Sequence, residues 1–155
     1  MNRQELADHI VTRIKPLAAD LKRDCSQAGR ISSFYVDDLL PKDIAQKIFE
    51  AFPEPGEMMY RNTLRERKYV SAQMDKHDPL LEEITYAFQD ARVVQLMEEI
   101  TGVHPMYPDD RLYAGGISLM KKGNFLNLHL DNSHDNDRKL YRVLNLLYYV
   151  TPNWK

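Results

Sequence analysis

The chain has 155 residues, long enough for one domain with a real core and too short for two comfortable ones. It is 43% hydrophobic and 28% charged, with a formal net charge of -2, which excludes the concentrated basic surface that nucleic acid or an anionic membrane would select. Its one cysteine, Cys25, excludes an internal disulfide and a Cys/His zinc knuckle. The mixed N-terminal stretch reads as neither a secretory signal nor a membrane span, so a cytoplasmic protein is expected.

In chain order, the first element is a helix. Asn2 caps it, Glu5 reaches back at the third helical position, and Ala7, Ile10, Val11 and Ile14 recur at helical spacing. Pro16 kinks or restarts the helix, Leu17 and Leu21 continue its apolar face, and Gly29 ends the element. Residues 31–36 are β-branched and aromatic without a breaker and predict a strand. Pro41 then opens a helix whose buried stripe is Ile44, Ile48, Phe49 and Phe52, ended by Pro53, Pro55 and Gly56. Arg61, Arg65, Arg67 and Lys68 crowd one segment and read as a solvated turn rather than an anion site, with a short strand over 69–73 after them. Asp78 and Pro79 start a helix with a core face of Leu81, Ile84, Phe88, Val93, Leu96, Met97 and Ile100, closed by Gly102. Asp109, Asp110 and Arg111 read as a solvated turn. Strands are expected over 112–121, 126–131 and 141–150. Helices first and sheet afterwards make an α+β arrangement, expected as one domain over 1–155 with 1–111 mainly helical support.

The chemistry-bearing segment follows a Gly123–Asn124 turn and contains His129, Asp131, Asn132 and His134. Side chains alternate along a strand, so His129 and Asp131 point the same way with Cα atoms about 6.6 Å apart. An imidazole nitrogen and a carboxylate oxygen can then converge on one metal ion. With one further His this is the ligand set of a facial triad, which leaves three adjacent positions on the metal open. His-x-Asp recurs by chance, and a surface His on a polar strand end is the plain alternative. His134 could complete a compact His-x-Asp-x-x-His site of hydrolytic, zinc-like type. His9, His77 and His104 read as surface helix and loop residues.

From Gly123 to Trp154 the chain resembles the prolyl-4-hydroxylase-like group of the 2-oxoglutarate/Fe(II)-dependent oxygenases. The resemblance rests on His129, Asp131, Asn132, Arg138, Tyr148, Tyr149 and Trp154, and on the bacterial-type strand around 112–120. It implies a double-stranded β-helix (jelly-roll) with the N-terminal helices packed outside it, and barrel strands beginning at 112. It implies Fe(II) bound by His129 and Asp131, and 2-oxoglutarate as co-substrate contacted by Tyr149, with ascorbate a further candidate. Asn145 and Leu147 share the Tyr149 face by alternation, and Asn145 is grouped with Tyr149 at the co-substrate. Met120 stands where many relatives have a second co-substrate tyrosine, and methionine cannot donate a hydrogen bond. Tyr148 and Tyr149 also suit an ordinary half-buried strand.

The family's second iron-binding His and its co-substrate Arg come from later strands, and only about half of the eight jelly-roll strands are visible. The expectation is therefore a portion of a longer dioxygenase, hydroxylating a C–H bond of a small metabolite, an amino acid or a prolyl residue, and itself nearly inactive. The competing expectation is a jelly-roll module that binds a ligand or partner without redox chemistry. Fold analogy does not choose the substrate.

Overall fold

The computed structural model describes residues 1–27, 29, 31–113 and 115–153. Trp154, part of the family resemblance, lies outside the described residues. The architecture is α+β: five α-helices among the described residues, followed and interrupted by a small open antiparallel sheet.

Helix α1, Arg3–Ile14, begins as its sequence requires. The Asn2 side chain accepts from the Glu5 N–H, and the Glu5 carboxylate accepts from the Asn2 N–H. Pro16 sits in a single tight turn, Lys15–Leu17, after which α2 runs over Ala18–Cys25. Helix α3 covers Lys42–Glu50 and buries Ile44 and Ile48, while Phe49 of the predicted stripe is exposed. The single helix expected over 79–100 is two. Helix α4 spans Pro79–Ala87 and α5 spans Ala91–Thr101, because the Asp90 carboxylate accepts the Arg92 N–H and starts a new helix there. Gly102 ends α5 in the left-handed conformation, φ 73°, where a side chain would be strained.

Helices α1, α4, α5 and α2 pack on one another around Leu6, Ile10, Leu81, Ile84, Val93 and Ile100. Residues 31–36, expected as a strand, form no ladder. Phe34 and Val36 pack against the core while Ile31 and Tyr35 stand in solvent, and Arg13 holds the segment's end by donating to the carbonyls of Asp37 and Asp38. The alternation is present; the partner strand that would turn it into sheet is not among the described residues.

The sheet is built on β2. Strand β1, Met59–Asn62, pairs antiparallel with β2, Glu66–Ser71, across a tight loop in which the Thr63 hydroxyl accepts the N–H groups of Arg65 and Glu66. On its other side β2 pairs with β3, Ile117–Leu119, and with β4, Phe125–Leu126. Tyr69 faces Leu119 and Arg67 faces Phe125, so β3 and β4 are one line of strand, with residues 120–124 looped out opposite Lys68. The turn expected at Gly123–Asn124 is this loop, closed by Asn124 donating to the Lys121 carbonyl and accepting the Lys121 N–H.

The three strands expected over 112–121, 126–131 and 141–150 shrink accordingly to β3 and β4. Residues 127–131 and 142–150 form no ladder. The segment of four basic residues is not a solvated turn either. Arg61 and Lys68 face each other across the hairpin and both pair with the buried Glu66 carboxylate, at 3.3 and 2.9 Å.

Candidate metal centre

The site begins at the hairpin tip. Asn127, the first residue after β4, donates its backbone N–H to the Arg65 carbonyl and its side-chain amide to the Leu64 carbonyl, each at 2.9 Å. That clamp fixes where the following residues leave the sheet. The Asn127 carbonyl in turn lies 2.8 Å from His129 Nδ1. A carbonyl only accepts, so Nδ1 carries the proton and the ring is held with Nε2 turned the other way.

Nε2 faces Asp131 Oδ1 at 3.2 Å. The sequence expectation that these two side chains share one face holds although no ladder forms there. With Nδ1–H committed to a carbonyl, a neutral His129 presents a lone pair to a carboxylate oxygen. Two lone pairs at that distance repel unless a proton or a cation stands with them.

The second leg returns through the loop between Ser133 and Arg142. Arg142 N–H donates to the Ser133 carbonyl, His134 bridges to Tyr141, and Asp135 N–H donates to the Leu140 carbonyl. The Asp135 carboxylate accepts the N–H groups of Lys139 and Leu140, and these backbone donors, Leu140 first, hold its carboxyl below the usual aspartate range. Continued outward, this antiparallel register brings residues 142–145 beside Asp131. Asn145 Nδ2 donates to Asp131 Oδ2 at 3.1 Å, Arg142 Nη2 donates to Asn145 Oδ1 at 3.0 Å, and Arg142 Nη1 lies 3.9 Å from Asp131 Oδ2. Asp131, Asn132, Ser133, Arg142 and Asn145 line a shallow cleft of about 260 Å³.

Of the residues singled out in the sequence, His129, Asp131 and Asn145 therefore come together, Asn145 as a partner of Asp131. Tyr149 is 84% exposed, four residues beyond Asn145 along the chain. Tyr148 turns the other way, half-buried with its ring 5.5 Å from that of Phe88. Burial raises the Tyr148 phenol above the usual tyrosine range. Leu147 is exposed on the Tyr149 side, Met120 lies partly exposed in the looped-out segment, and Arg138 occupies the 133–142 loop. His134 stacks on Tyr141, ring centroids 4.4 Å apart, and its Nδ1 meets the Ser133 hydroxyl. It does not complete the compact three-residue site, and among the described residues no three His, Cys, Asp or Glu side chains gather as a metal would require.

Sequence reasoning missed Asn127 and Arg142. The signal for Arg142 was its position three residues before Asn145. Asn127 left no signal, since its role depends on where the β1–β2 tip lies. No helix among the described residues is long and apolar enough to cross a membrane. Comparison with protein-family models, curated proteins and solved structures finds no match to this chain.

Proposed function

We propose that this chain carries the first two iron ligands of a 2-oxoglutarate-dependent Fe(II) dioxygenase, a hydroxylase acting on a C–H bond of a small metabolite, an amino acid or a prolyl residue. The observation that carries the reading is the His129–Asp131 pair: an imidazole with Nδ1 tied to a backbone carbonyl and Nε2 aimed at a carboxylate oxygen 3.2 Å away. Metal-bound histidines are held in this way, the non-ligating N–H donated to an oxygen so that the other nitrogen keeps its lone pair. The donors also fit the metal, since one neutral imidazole and one carboxylate are two of the three ligands of a facial triad.

Fe(II) held there would activate dioxygen with 2-oxoglutarate as the reductant, one oxygen atom going into succinate as CO2 is released and the other into the substrate C–H bond. The residues present here supply position and charge. Asn127 holds the His129 ring, Asp131 brings one negative charge, and Asp131, Asn145 and Arg142 line a cleft open to solvent. Tyr149, on the same face as Asn145, is assigned to the distal carboxylate of 2-oxoglutarate. In this reading the sheet and the two extended legs belong to a double-stranded β-helix with α1–α5 outside it. The exposed Leu128 and Leu130 on one leg, and Leu147 on the other, support that assignment, because strands of a larger barrel carry apolar residues at such positions.

The test is succinate release by the full-length protein, measured with and without Fe(II) over a panel of candidate amino acids and prolyl peptides. Iron-dependent release that falls to background in His129→Ala and Asp131→Ala, both folded by circular dichroism, is the expected result. Turnover unchanged in either variant contradicts the ligand assignment. A folded protein that releases no succinate yet binds a small molecule or partner favours a non-catalytic jelly-roll module instead.

A further inference from the structure

We infer that Asn145, braced by Arg142, is a positioning residue that aims the Asp131 carboxylate at the metal; this rests on the reading of His129 and Asp131 as iron ligands. Asp131 has two carboxylate oxygens, and the structure gives them different work. Oδ1 faces His129 Nε2, while Oδ2 accepts the Asn145 amide at 3.1 Å. The amide is not free to turn away, because its own oxygen accepts from Arg142 Nη2 at 3.0 Å. A primary amide flipped end for end would put oxygen against a carboxylate and nitrogen against a guanidinium, unfavourable on both sides. The order Arg142 to Asn145 to Asp131 therefore has one orientation. The Arg142 side chain is about three-quarters buried and lies 3.9 Å from Oδ2, so its charge adds to the same oxygen without occupying the metal-facing one.

Two consequences distinguish this from a surface hydrogen bond. With Oδ2 occupied by a donor, Oδ1 would be the oxygen that Asp131 offers to a metal, where a bidentate carboxylate would offer both. The relay also ties the two legs together by side chains where no backbone ladder joins them. Loss of the amide donor should free the carboxylate to rotate. Removal of a residue that orients a metal ligand typically weakens metal affinity about 10–100-fold.

The experiment is a Mn(II) titration of the full-length chain by electron paramagnetic resonance, paired with the visible spectrum of the Co(II)-loaded protein, which reports coordination geometry. The variants are Asn145→Leu, Asn145→Gln and Arg142→Met, with His129→Ala and Asp131→Ala alongside. Asn145→Leu is expected to weaken Mn(II) binding by about 10-fold or more and to shift the Co(II) bands, with Arg142→Met moving in the same direction and Asn145→Gln restoring part of both. If His129→Ala and Asp131→Ala abolish binding while Asn145→Leu matches the wild type in affinity and Co(II) spectrum, the positioning role is wrong and the ligand pair stands. If the wild type binds no Mn(II), or His129→Ala and Asp131→Ala bind it as well as the wild type, the ligand pair falls and the positioning role falls with it.

Discussion

Glu66 is the single buried charged side chain among the described residues, 5% exposed, and it sits between two cations of the same hairpin. The Lys68 ammonium, hydrogen-bonded to it, and then Arg61 hold its carboxyl below the usual glutamate range against the opposing effect of burial. Because the folded value is depressed, the stabilisation is fully present above the unfolded value near about 4.3 and is lost as pH falls through the lower folded value. Glu66→Gln removes the charge and leaves Lys68 and Arg61 facing each other. Fully buried pairs cost roughly 3–5 kcal/mol when broken. Arg61 is half exposed, so a loss of about 2 kcal/mol at pH 7 is expected here. Urea denaturation at a series of pH values should show that loss, together with a shallower decline between neutral and acid pH than the wild type has. An unaltered acid decline would show that Glu66 is not the group responsible.

At this scale the sequence was informative where one residue decides its own neighbourhood. Asn2 with Glu5, Asp78 before Pro79, and Gly102 are local signals, and each cap forms where its residues stand. The pairing of His129 with Asp131 is equally local. Glu66 was harder to read, although alternation already puts 66 and 68 on one face and the hairpin register brings Arg61 opposite Lys68. The four neighbouring cations drew attention to their own solvation and away from the acid they surround.

At the scale of elements, helices were more legible than strands, of which β2 and β3 overlap the expected 69–73 and 112–121 while 31–36 and 141–150 form no ladder, and the reason is physical. A helix satisfies its backbone within itself, so capping and a 3.6-residue stripe nearly determine it. A strand needs a neighbour. Residues 31–36 and 142–150 have strand composition, yet without a ladder partner among the described residues they form no strand. Where pairing does occur, close approach sets its terms. Gly116, immediately before β3, has φ 115°, and a Cβ there would lie 2.3 Å from the Ser71 carbonyl oxygen at the end of β2. Gly116→Ala must therefore strain the backbone and push β3 off β2. A destabilisation of more than about 2 kcal/mol is expected, read as a lowered urea midpoint. A midpoint equal to that of the wild type would mean that β3 does not approach β2 as closely as described.

Across the whole molecule, the helical core and the candidate site are joined through few links. The β1–β2 tip holds Asn127, Asn127 holds His129, and the 133–142 loop returns Asn145 and Arg142 to Asp131. The structure adds a geometry that spacing could not supply: His129 Nδ1 against the Asn127 carbonyl and Nε2 against one Asp131 carboxylate oxygen. The five histidines are spread over the chain and differ in what they face. His77 Nε2 meets the Ser71 hydroxyl and His134 meets Ser133 and Tyr141. His104 Nδ1 lies 2.9 Å from Glu98 Oε1, a second imidazole–carboxylate contact. That carboxylate oxygen already accepts the Met106 N–H, so the pair serves as an internal control.

The most direct measurement is therefore imidazole NMR of the full-length chain during addition of substoichiometric Mn(II), a paramagnetic substitute for Fe(II). Broadening that strikes the His129 ring signals first, ahead of those of neighbouring His134 and of His9, His77 and His104, and is gone in Asp131→Ala, is the expected result. Broadening of His104 to the same degree, or broadening of His129 that survives Asp131→Ala, would contradict the assignment of His129 and Asp131 as a metal-binding pair.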